Sequence, residues 1–393
     1  MTAVWLQAQS CVSALGDTAE ALRAALFADA PSGVRPTDRH TPGRVLNLGC
    51  VDTPLPGLDT LPADQRSRSN ALLLAALAPL RGAAEAAVAR FGPARVAVVL
   101  GISTAGLDEG LAALGQRLDG APWPAGYDYA LQEMGNGAQC VAQQLGVHGP
   151  VYTISTACSS SAKALATGAR LLRSGVVDAV VAGGADALSG FTLAGFSALD
   201  AISAERCNPL SLHRAGINIG EGAALFLMGR EEGPVRLAGW GETADAHHMS
   251  APDPSGRGAA QAMRGALERA GLAPGAIDYV NLHGTATDQN DAMESLAVAE
   301  VLGLEVAVSS TKPLTGHALG AAGAIEAAIA WHTLVDNPRG LLPVHWWDGV
   351  VDPALPRLAP VAPGTTLGRA PRHVLSNSFA FGGSNAALVL SAP

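Results

Sequence analysis

At 393 residues, with 48% hydrophobic and 15% charged side chains, the chain is too long for one small core and holds fewer charges than the roughly 25% of an average soluble protein. Much of its surface is therefore expected to be buried in an obligate oligomer. The formal net charge of −9, with no long Lys/Arg block to offset it, argues against a nucleic-acid partner.

The opening MTAVWLQAQS has no basic lead before an apolar core, so no signal peptide is expected. A short strand (Ala3 to Ala8), a small-residue turn (Ser13 to Gly16) and a helix from Asp17 or Thr18 to Phe27 come first. Residues 31–66 are rich in Pro, Gly and Asp and read mostly as loop. An apolar helix covers Asn70 to Leu80, a second helical run continues through Arg90, and a buried strand follows at Val96 to Leu100. Apolar runs such as Ala71 to Leu80 fall short of the roughly 20 residues that span a bilayer, so a cytoplasmic protein with no membrane contact is expected. Five scattered cysteines (Cys11, Cys50, Cys140, Cys158, Cys207) without a CxxC pair fit a reducing compartment and no zinc site.

Between Gly101 and Gly149 the pattern is irregular, apart from a helical stretch at Gly137 to Leu145. Val151 to Gly175 then organises the first half. Its β-branched opening (Val151, Thr153, Ile154, Thr156) reads as a buried strand, and Ala162, Leu165, Ala166, Ala169 and Leu172 recur at helix-face spacing. Cys158 sits at the hinge, where unpaired N–H groups and the helix dipole favour a thiolate. By itself a cysteine reads more readily as a small buried side chain, and its context must decide.

A strand from Asp178 to Ala182 completes a parallel crossover unit buried on both faces, and a strand at Gly222 to Met228 closes the half. The second half restarts with a strand at Val235 to Gly239, a loop with His247 and His248, a helix from Gly258 to Ala270 and a strand from Ala276 to Leu282. A helix (Asp291 to Leu302), a strand (Val306 to Ser309), a helix (His317 to Val335) and strands at Val374 to Ser378 and Ala386 to Leu390 follow. The segment VAVSSTKPLTGHALGAAGAIEAAIAWHTL repeats the plan of VYTISTACSSSAKALATGARLL. Small residues on both helices (Ala162, Ala166, Ala169; Gly320, Gly323, Ala327) let them pack closely. The reading is a duplicated α/β unit, residues 1–230 and 231–393.

Reactive groups gather at strand ends, where open α/β sheets place their sites: Thr156-Ala-Cys158, His283-Gly-Thr285-Ala-Thr287, and Lys312-Pro-Leu-Thr-Gly-His317. A histidine after a strand, followed by Gly and two threonines, is hard to explain as packing. His317 opens a helix in this reading, which would keep its ring neutral, and serves either chemistry or capping. Lys312 and Glu326 are either an ion pair or two unrelated charges. His247 and His248 belong to an entrance loop, since adjacent residues do not readily share one ion.

The cysteine turn, HGTAT, STKPLTGHALGAAGAIEA and the closing SNSFAFGGSN together resemble the elongating β-ketoacyl-acyl-carrier-protein synthases, essentially end to end. The resemblance implies a dimeric thiolase fold, a duplicated five-layer αβαβα architecture. It implies that Cys158 takes an acyl group from an acyl carrier protein, and that His283 and His317 bind the malonyl thioester and stabilise its enolate. Lys312, with Glu326, orders the site. Cys158 and Phe381 supply oxyanion N–H groups, and the Phe381 ring gates the acyl tunnel. Thr285 and Thr287 bind the phosphopantetheine arm, while Thr104 and Phe196 belong to the acyl pocket. No metal, nucleotide or redox cofactor is implied, the phosphopantetheine arriving on the carrier protein. Arg66, Arg68 and Arg206 are candidate contacts for that acidic carrier.

Ala380 and Ser384 depart from the usual Gly and Thr of the phenylalanine motif, and Ala restricts φ there. CNPLSLHRAGINIGEGAALFLM and ACSSSAKAL are more similar to ketosynthases of aryl-polyene pathways. A thiolase would need a second catalytic cysteine after Cys207, and chain-initiating synthases replace one histidine by asparagine. A catalytically silent chain-length-factor partner usually lacks the cysteine. The expectation is decarboxylative condensation of an acyl group with malonyl carrier protein, by a homodimer or a heterodimer with a chain-length-factor-like subunit.

Overall fold

The computed structural model describes residues 2–27 and 32–393, so residue 31 of the expected loop lies outside it. In chain order the elements are β1 (Trp5–Val12), α1 (Ala19–Phe27), β2 (Val34–Thr37), β3 (Leu46–Gly49), α2 (Arg68–Phe91), β4 (Val96–Gly101), α3 (Leu107–Leu118) and α4 (Asn136–Leu145). Then come β5 (Val151–Ile154), α5 (Ser160–Arg173), β6 (Ala179–Asp186), α6 (Gly190–Ala198), β7 (Gly222–Gly229), β8 (Val235–Ala244) and α7 (Arg257–Ala270). The chain ends with β9 (Tyr279–Asn281), α8 (Asp288–Leu302), β10 (Ala307–Ser309), α9 (Lys312–Thr315), α10 (Ala322–Leu334), β11 (Ala359–Pro360), β12 (His373–Ala380) and β13 (Ser384–Ser391).

Eleven strands join in the order β11-β10-β9-β12-β13-β8-β1-β7-β6-β4-β5, while β2 and β3 pair separately. The order contains the same motif twice. With the two-residue edge strand β11 set aside, strands β5-β4-β6-β7-β1 and β10-β9-β12-β13-β8 each place the third, second, fourth, fifth and first strand of their half side by side. Strand pairing between the halves runs through β1 and β8, at Trp5↔Arg236 and Leu6↔Val235.

Three apolar cores fill the spaces between layers. Helices α2 and α4 cover one face of the first half through Leu72, Leu77 and Val141 against Val98 and Leu225. Helices α5 and α10 lie between the halves, with Leu165 and Ile329 among Val99, Val180, Val374 and Leu388. Helices α7 and α8 cover the far face through Met263, Leu267 and Val298 against Val280 and Val389. In β4, Val96, Val98 and Leu100 face the outer core while Ala97 and Val99 face the central one. That period-two alternation, apolar on both sides, marks a strand buried on both faces. The result is the expected αβαβα stack.

The central pair is as close as its small residues allow. A Cβ added at Gly323 would lie 2.8 Å from the Cβ of Ala162, and all 13 residues of α10 are buried. This is the close helix crossing that the alanine and glycine spacing predicts.

Several elements differ from the sequence reading. The stretch taken as loop contains the β2–β3 hairpin, and α3 was hidden in the Gly-rich region. The two helical runs after Arg68 are one 24-residue helix with Pro79 inside it. Burial of Leu72, Leu73, Ala76, Leu77 and Leu80 on the sheet outweighs the single hydrogen bond a proline removes. This helix is long and apolar enough to cross a membrane, unlike the shorter run seen in the sequence, and here its apolar face packs on β-strands. Strand β5 is not buried but forms the edge of the sheet, with Tyr152 36% exposed.

Candidate active site

Three chain segments meet at the strand ends, and each contains one non-glycine residue in the left-handed region: Ala157 (φ 51°), Ala286 (φ 62°) and Leu319 (φ 48°). Such backbone is costly and persists where the surroundings enforce it. At the cysteine turn Ser160 does the enforcing. Its hydroxyl accepts from the Thr156 N–H at 2.9 Å and donates to the Ala157 carbonyl at 2.6 Å, which sets Cys158 one residue ahead of Ser159 and α5.

His283 follows β9, and its backbone is clamped from the side. Glu294 on α8 accepts the N–H groups of His283 (2.8 Å) and Gly284 (2.7 Å), and Asn377 on β12 donates to the same carboxylate at 3.1 Å. Asp291, one helical turn earlier, accepts from the N–H groups of Leu210 (2.8 Å) and Ala286 (3.1 Å). Burial pushes the Glu294 carboxyl up to about 7, against the pull of the N–H groups. The sequence reading missed both acids. Their signal was a D-x-x-E pair on the helix after HGTAT, which points two carboxylates back at one loop.

His317 does not open a helix. It lies in extended backbone between α9 and a short 3-10 turn, bridged to Ile219. Its N–H donates to the Asn218 carbonyl at 2.7 Å, and Gly220 donates to its carbonyl at 2.9 Å. Gly49, Gly220 and Gly316 meet there backbone to backbone, and a Cβ at Gly220 would stand 2.7 Å from the Thr315 oxygen. The ring is held neutral by burial first and by the nearby Lys312 charge second, not by a helix dipole. His283 is kept neutral by burial, Lys312 and His317.

These segments bring the sulfur and both rings together. Cys158 Sγ stands 3.0 Å from His317 Nε2, the two imidazoles meet edge to face at 5.3 Å, and the donor atoms of all three residues lie within 4.8 Å of one another. Neither Nδ1 has a hydrogen-bond partner among the described residues. Behind them Lys312 Nζ and Glu326 Oε1 pair at 2.5 Å, both fully buried. Burial pushes the Glu326 carboxyl up against the pull of Lys312.

The cysteine itself differs from expectation. Burial pushes its thiol up to about 11, although Lys312 and the N–H groups of Phe381 and Cys158 favour the anion. The resting residue is a neutral thiol, because desolvation exceeds the helix-end effect.

A cavity of about 490 Å3 opens onto Cys158, His283 and His317. Thr285 and Thr287 line it, their hydroxyls 2.9 Å apart, and the rings of Phe196 and Phe381 meet at 5.5 Å on its wall. His248 lines it too, whereas His247 does not. Thr104 is not on this cavity. It is buried, and its hydroxyl and N–H both bond Asp186, at 2.8 and 2.7 Å.

All three arginines suggested for carrier docking are engaged in the fold, Arg66 by donating to the Leu61 and Asp59 carbonyls at 2.9 and 3.0 Å. Arg68 is tied to the fully buried Glu221 side chain, and Arg206 stacks on Trp346 at 3.8 Å while donating to Pro313. Only Arg66 is exposed. His345, absent from the sequence reading, accepts the Ser310 N–H at Nδ1 (3.1 Å) and faces the Pro209 carbonyl with Nε2 (3.0 Å), which braces the turn before Lys312.

The chain matches the family profiles described as "Beta-ketoacyl synthase, N-terminal domain" over residues 6–233 and "Beta-ketoacyl synthase, C-terminal domain" over residues 235–337. It is 35% identical over 273 residues to the mitochondrial 3-oxoacyl-[acyl-carrier-protein] synthase of Arabidopsis thaliana, covering 64% of this chain and 58% of that protein. To 3-oxoacyl-[acyl-carrier-protein] synthase 2 of Rhizobium meliloti it is 36% identical over 265 residues, covering 62% and 61%. The match therefore spans about three fifths of these relatives' length. Among solved structures, a chain of the ketosynthase (ApeO) in complex with its chain length factor (ApeC) from Xenorhabdus doucetiae is 40% identical, with a TM-score of 0.92 over 100% of this chain and 98% of that one. The ishigamide ketosynthase/chain length factor follows at 27% identity and a TM-score of 0.86, covering 100% and 99%.

Proposed function

The chain belongs to the β-ketoacyl synthase family, and from that premise we propose that it condenses an acyl group held on Cys158 with a malonyl thioester, both delivered by acyl carrier protein. The observation that carries this reading is the 3.0 Å approach of Cys158 Sγ to His317 Nε2, beside His283, in a buried pocket open to one cavity. In the first step the sulfur attacks the acyl thioester carbonyl. Its proton goes to the departing carrier thiolate, while His317 stays neutral with Nε2–H facing the sulfur, since an imidazolium is disfavoured in a site that holds Lys312. The N–H groups of Cys158 and Phe381, which both reach the sulfur, are placed to receive the oxyanion.

In the second step the bond to the malonyl carboxylate breaks, carbon dioxide leaves, and the electron pair moves to the thioester oxygen. Neutral rings protonated at Nε2 donate to that developing charge in a buried pocket, where such bonds count for more than in water. The carbanion attacks the acyl carbonyl, the carbon–sulfur bond breaks, and the thiolate takes a proton from solvent. Thr285 and Thr287 hold the pantetheine arm, and Phe196 with Phe381 divides the acyl compartment from the entrance. No resident cofactor is needed for these steps.

We place the activity with polyene-type chain extension in a two-subunit assembly, a reading supported by the likeness to the ApeO–ApeC structure. A silent chain-length-factor role finds less support, because thiol, both imidazoles and the Lys312–Glu326 pair are all in place. The test is mass spectrometry after incubation with an acyl carrier protein thioester. An acyl adduct on Cys158, lost in Cys158→Ala, is expected; condensation by a chain whose Cys158 stays unlabelled would refute the scheme.

A further inference from the structure

The chain has 25 lysine and arginine side chains, and two of them are lysines, Lys163 and Lys312. Both lie at the active-site turns. Lys312 pairs with Glu326 beneath the imidazoles, whereas Lys163, in the first turn of α5, reaches a hydroxyl: its Nζ donates to Ser384 Oγ at 2.5 Å. Burial first and the Arg170 charge second act against the charged form of Lys163, so what it bonds has to hold it there. Lysine offers a compact, rotatable ammonium where arginine offers a broad planar fork.

Ser384 closes the turn that carries Phe381. That turn, Phe381–Gly383, has two consecutive glycines in the left-handed region, Gly382 (φ 81°) and Gly383 (φ 71°), so its own backbone does little to fix it. Tethers from outside do. On one side the Gly382 N–H donates to the Met249 carbonyl and the Asp245 N–H to the Gly383 carbonyl, both at 2.9 Å. On the other side Ser384 meets the start of α5, its Oγ lying 2.5 Å from Lys163 Nζ and 3.2 Å from Ser159 Oγ.

Proton counting gives that second tether a direction. An ammonium donates and cannot accept, so the Ser384 oxygen accepts from Lys163 and keeps its own proton free. The Ser159 hydroxyl has one proton, and its nearer acceptor is the Thr156 carbonyl at 2.9 Å. Ser384 therefore donates to Ser159. The result is a one-way chain, Lys163 to Ser384 to Ser159 to the Thr156 carbonyl, which joins the turn of Phe381 to the turn of Cys158. The N–H groups of those two residues both reach the sulfur, and they come from opposite halves of the chain.

Resting on the reading that Cys158 is acylated, we propose that Lys163 is a positioning residue for the oxyanion site: through Ser384 and Ser159 it sets the spacing between the Cys158 and Phe381 N–H groups. Acyl loading and carbon–carbon bond formation both pass through a negative oxygen on the acyl carbonyl and draw on that spacing. Malonyl decarboxylation places its charge at the two imidazoles and does not.

The experiment separates the two. Acyl loading of Cys158 is followed by mass spectrometry over a range of acyl carrier protein thioester concentrations, and carbon dioxide release from malonyl carrier protein is followed without an acyl donor. The chains compared are wild type, Lys163→Met, Ser384→Ala, Ser384→Thr and the double variant Lys163→Met/Ser384→Ala. Losing an oxyanion donor outright slows a reaction roughly a hundred- to a thousandfold, and a donor left in place but loose costs less. Lys163→Met and Ser384→Ala should each slow loading about tenfold at saturation, with KM for the acyl carrier unchanged and decarboxylation within about twofold of wild type. The double variant should lose no more than either single change. Ser384→Thr, which keeps the hydroxyl, should load like wild type, and thermal melting confirms that each variant is folded. Loading and decarboxylation lowered in equal proportion overturn the inference, as do losses that multiply in the double variant. A wild-type chain that neither loads nor decarboxylates sinks the condensing reading instead.

Discussion

The Nε2 atom of His317 and the sulfur of Cys158, 159 residues apart in sequence, stand 3.0 Å from each other with both side chains buried. A neutral thiol facing a neutral imidazole stores no charge until a substrate enters. That property leads directly to a pH dependence.

Because burial raises the Cys158 thiol to about 11, its thiolate fraction climbs throughout the accessible alkaline range. Alkylation of Cys158 by iodoacetamide should therefore accelerate about tenfold per pH unit from pH 7 to pH 10 without levelling. A rate that plateaus below pH 8 would show a thiolate already formed at rest, and the balance of burial over N–H donors drawn above would be wrong.

Lys312 and Glu326 are a fully buried pair, so removing one partner strands the other. Lys312→Met should lower the unfolding free energy by about 3–5 kcal/mol and abolish malonyl decarboxylation. The double variant Lys312→Met/Glu326→Leu should recover most of the stability and none of the decarboxylation. Urea unfolding and carbon dioxide release measure the two effects independently; if the double variant is as unstable as the single one, the pair is not the source of the loss.

Glu294 titrates upward on folding, from an ordinary 4.5 to about 7. A carboxyl whose folded value is raised binds more protons in the folded state than in the unfolded one. Its contribution is full below pH 4.5 and is lost as pH rises to 7. The stability of wild type relative to Glu294→Gln should accordingly fall by up to about 3 kcal/mol between pH 4.5 and pH 7 and then stay level. Chemical denaturation at several pH values checks this, and a difference independent of pH would falsify it. The same variant should raise the KM for malonyl carrier protein through the displaced His283 loop.

The contact of Gly323 with Ala162 predicts intolerance to size. Gly323→Val places branched carbons where a Cβ alone would come within 2.8 Å of its neighbour, and should cost about 1–3 kcal/mol or more. Thermal unfolding reads the loss. A variant as stable as wild type would mean that α5 and α10 can slide apart.

Much of this arrangement was legible in the chain. Continuous apolar runs gave β4, β6 and β7, and small residues at helical spacing gave the α5–α10 crossing, because both patterns are imposed by burial. The His283 turn stood out because a histidine between a strand end and Gly-Thr-Ala-Thr has little packing purpose, whereas Cys158 and His317 were joined to it only by the resemblance of their motifs. The β2–β3 hairpin was not legible: its strands have four residues each and hold Pro36, so neither alternation nor β-propensity accumulates. Helix α2 was divided because a proline signals an ending locally, whereas the sheet beneath it acts over all 24 residues. Thr104 was misplaced for a similar reason. Its partner Asp186 is 82 residues away, and only the folded chain shows that its hydroxyl is taken. Glu294 left only its D-x-x-E spacing after HGTAT, and His345 acts on the Ser310 N–H and the Pro209 carbonyl, backbone groups that leave no mark on the sequence.

The seam of Gly49, Gly220 and Gly316 has a wider meaning for how such a site can diversify. Since the imidazole of His317 is registered by main chain lying on main chain, its aim does not depend on which side chains furnish the surrounding walls. Substitutions at Phe196, Leu199 or Ile217 can then reshape the compartment for another acyl group while the reacting atoms keep their alignment.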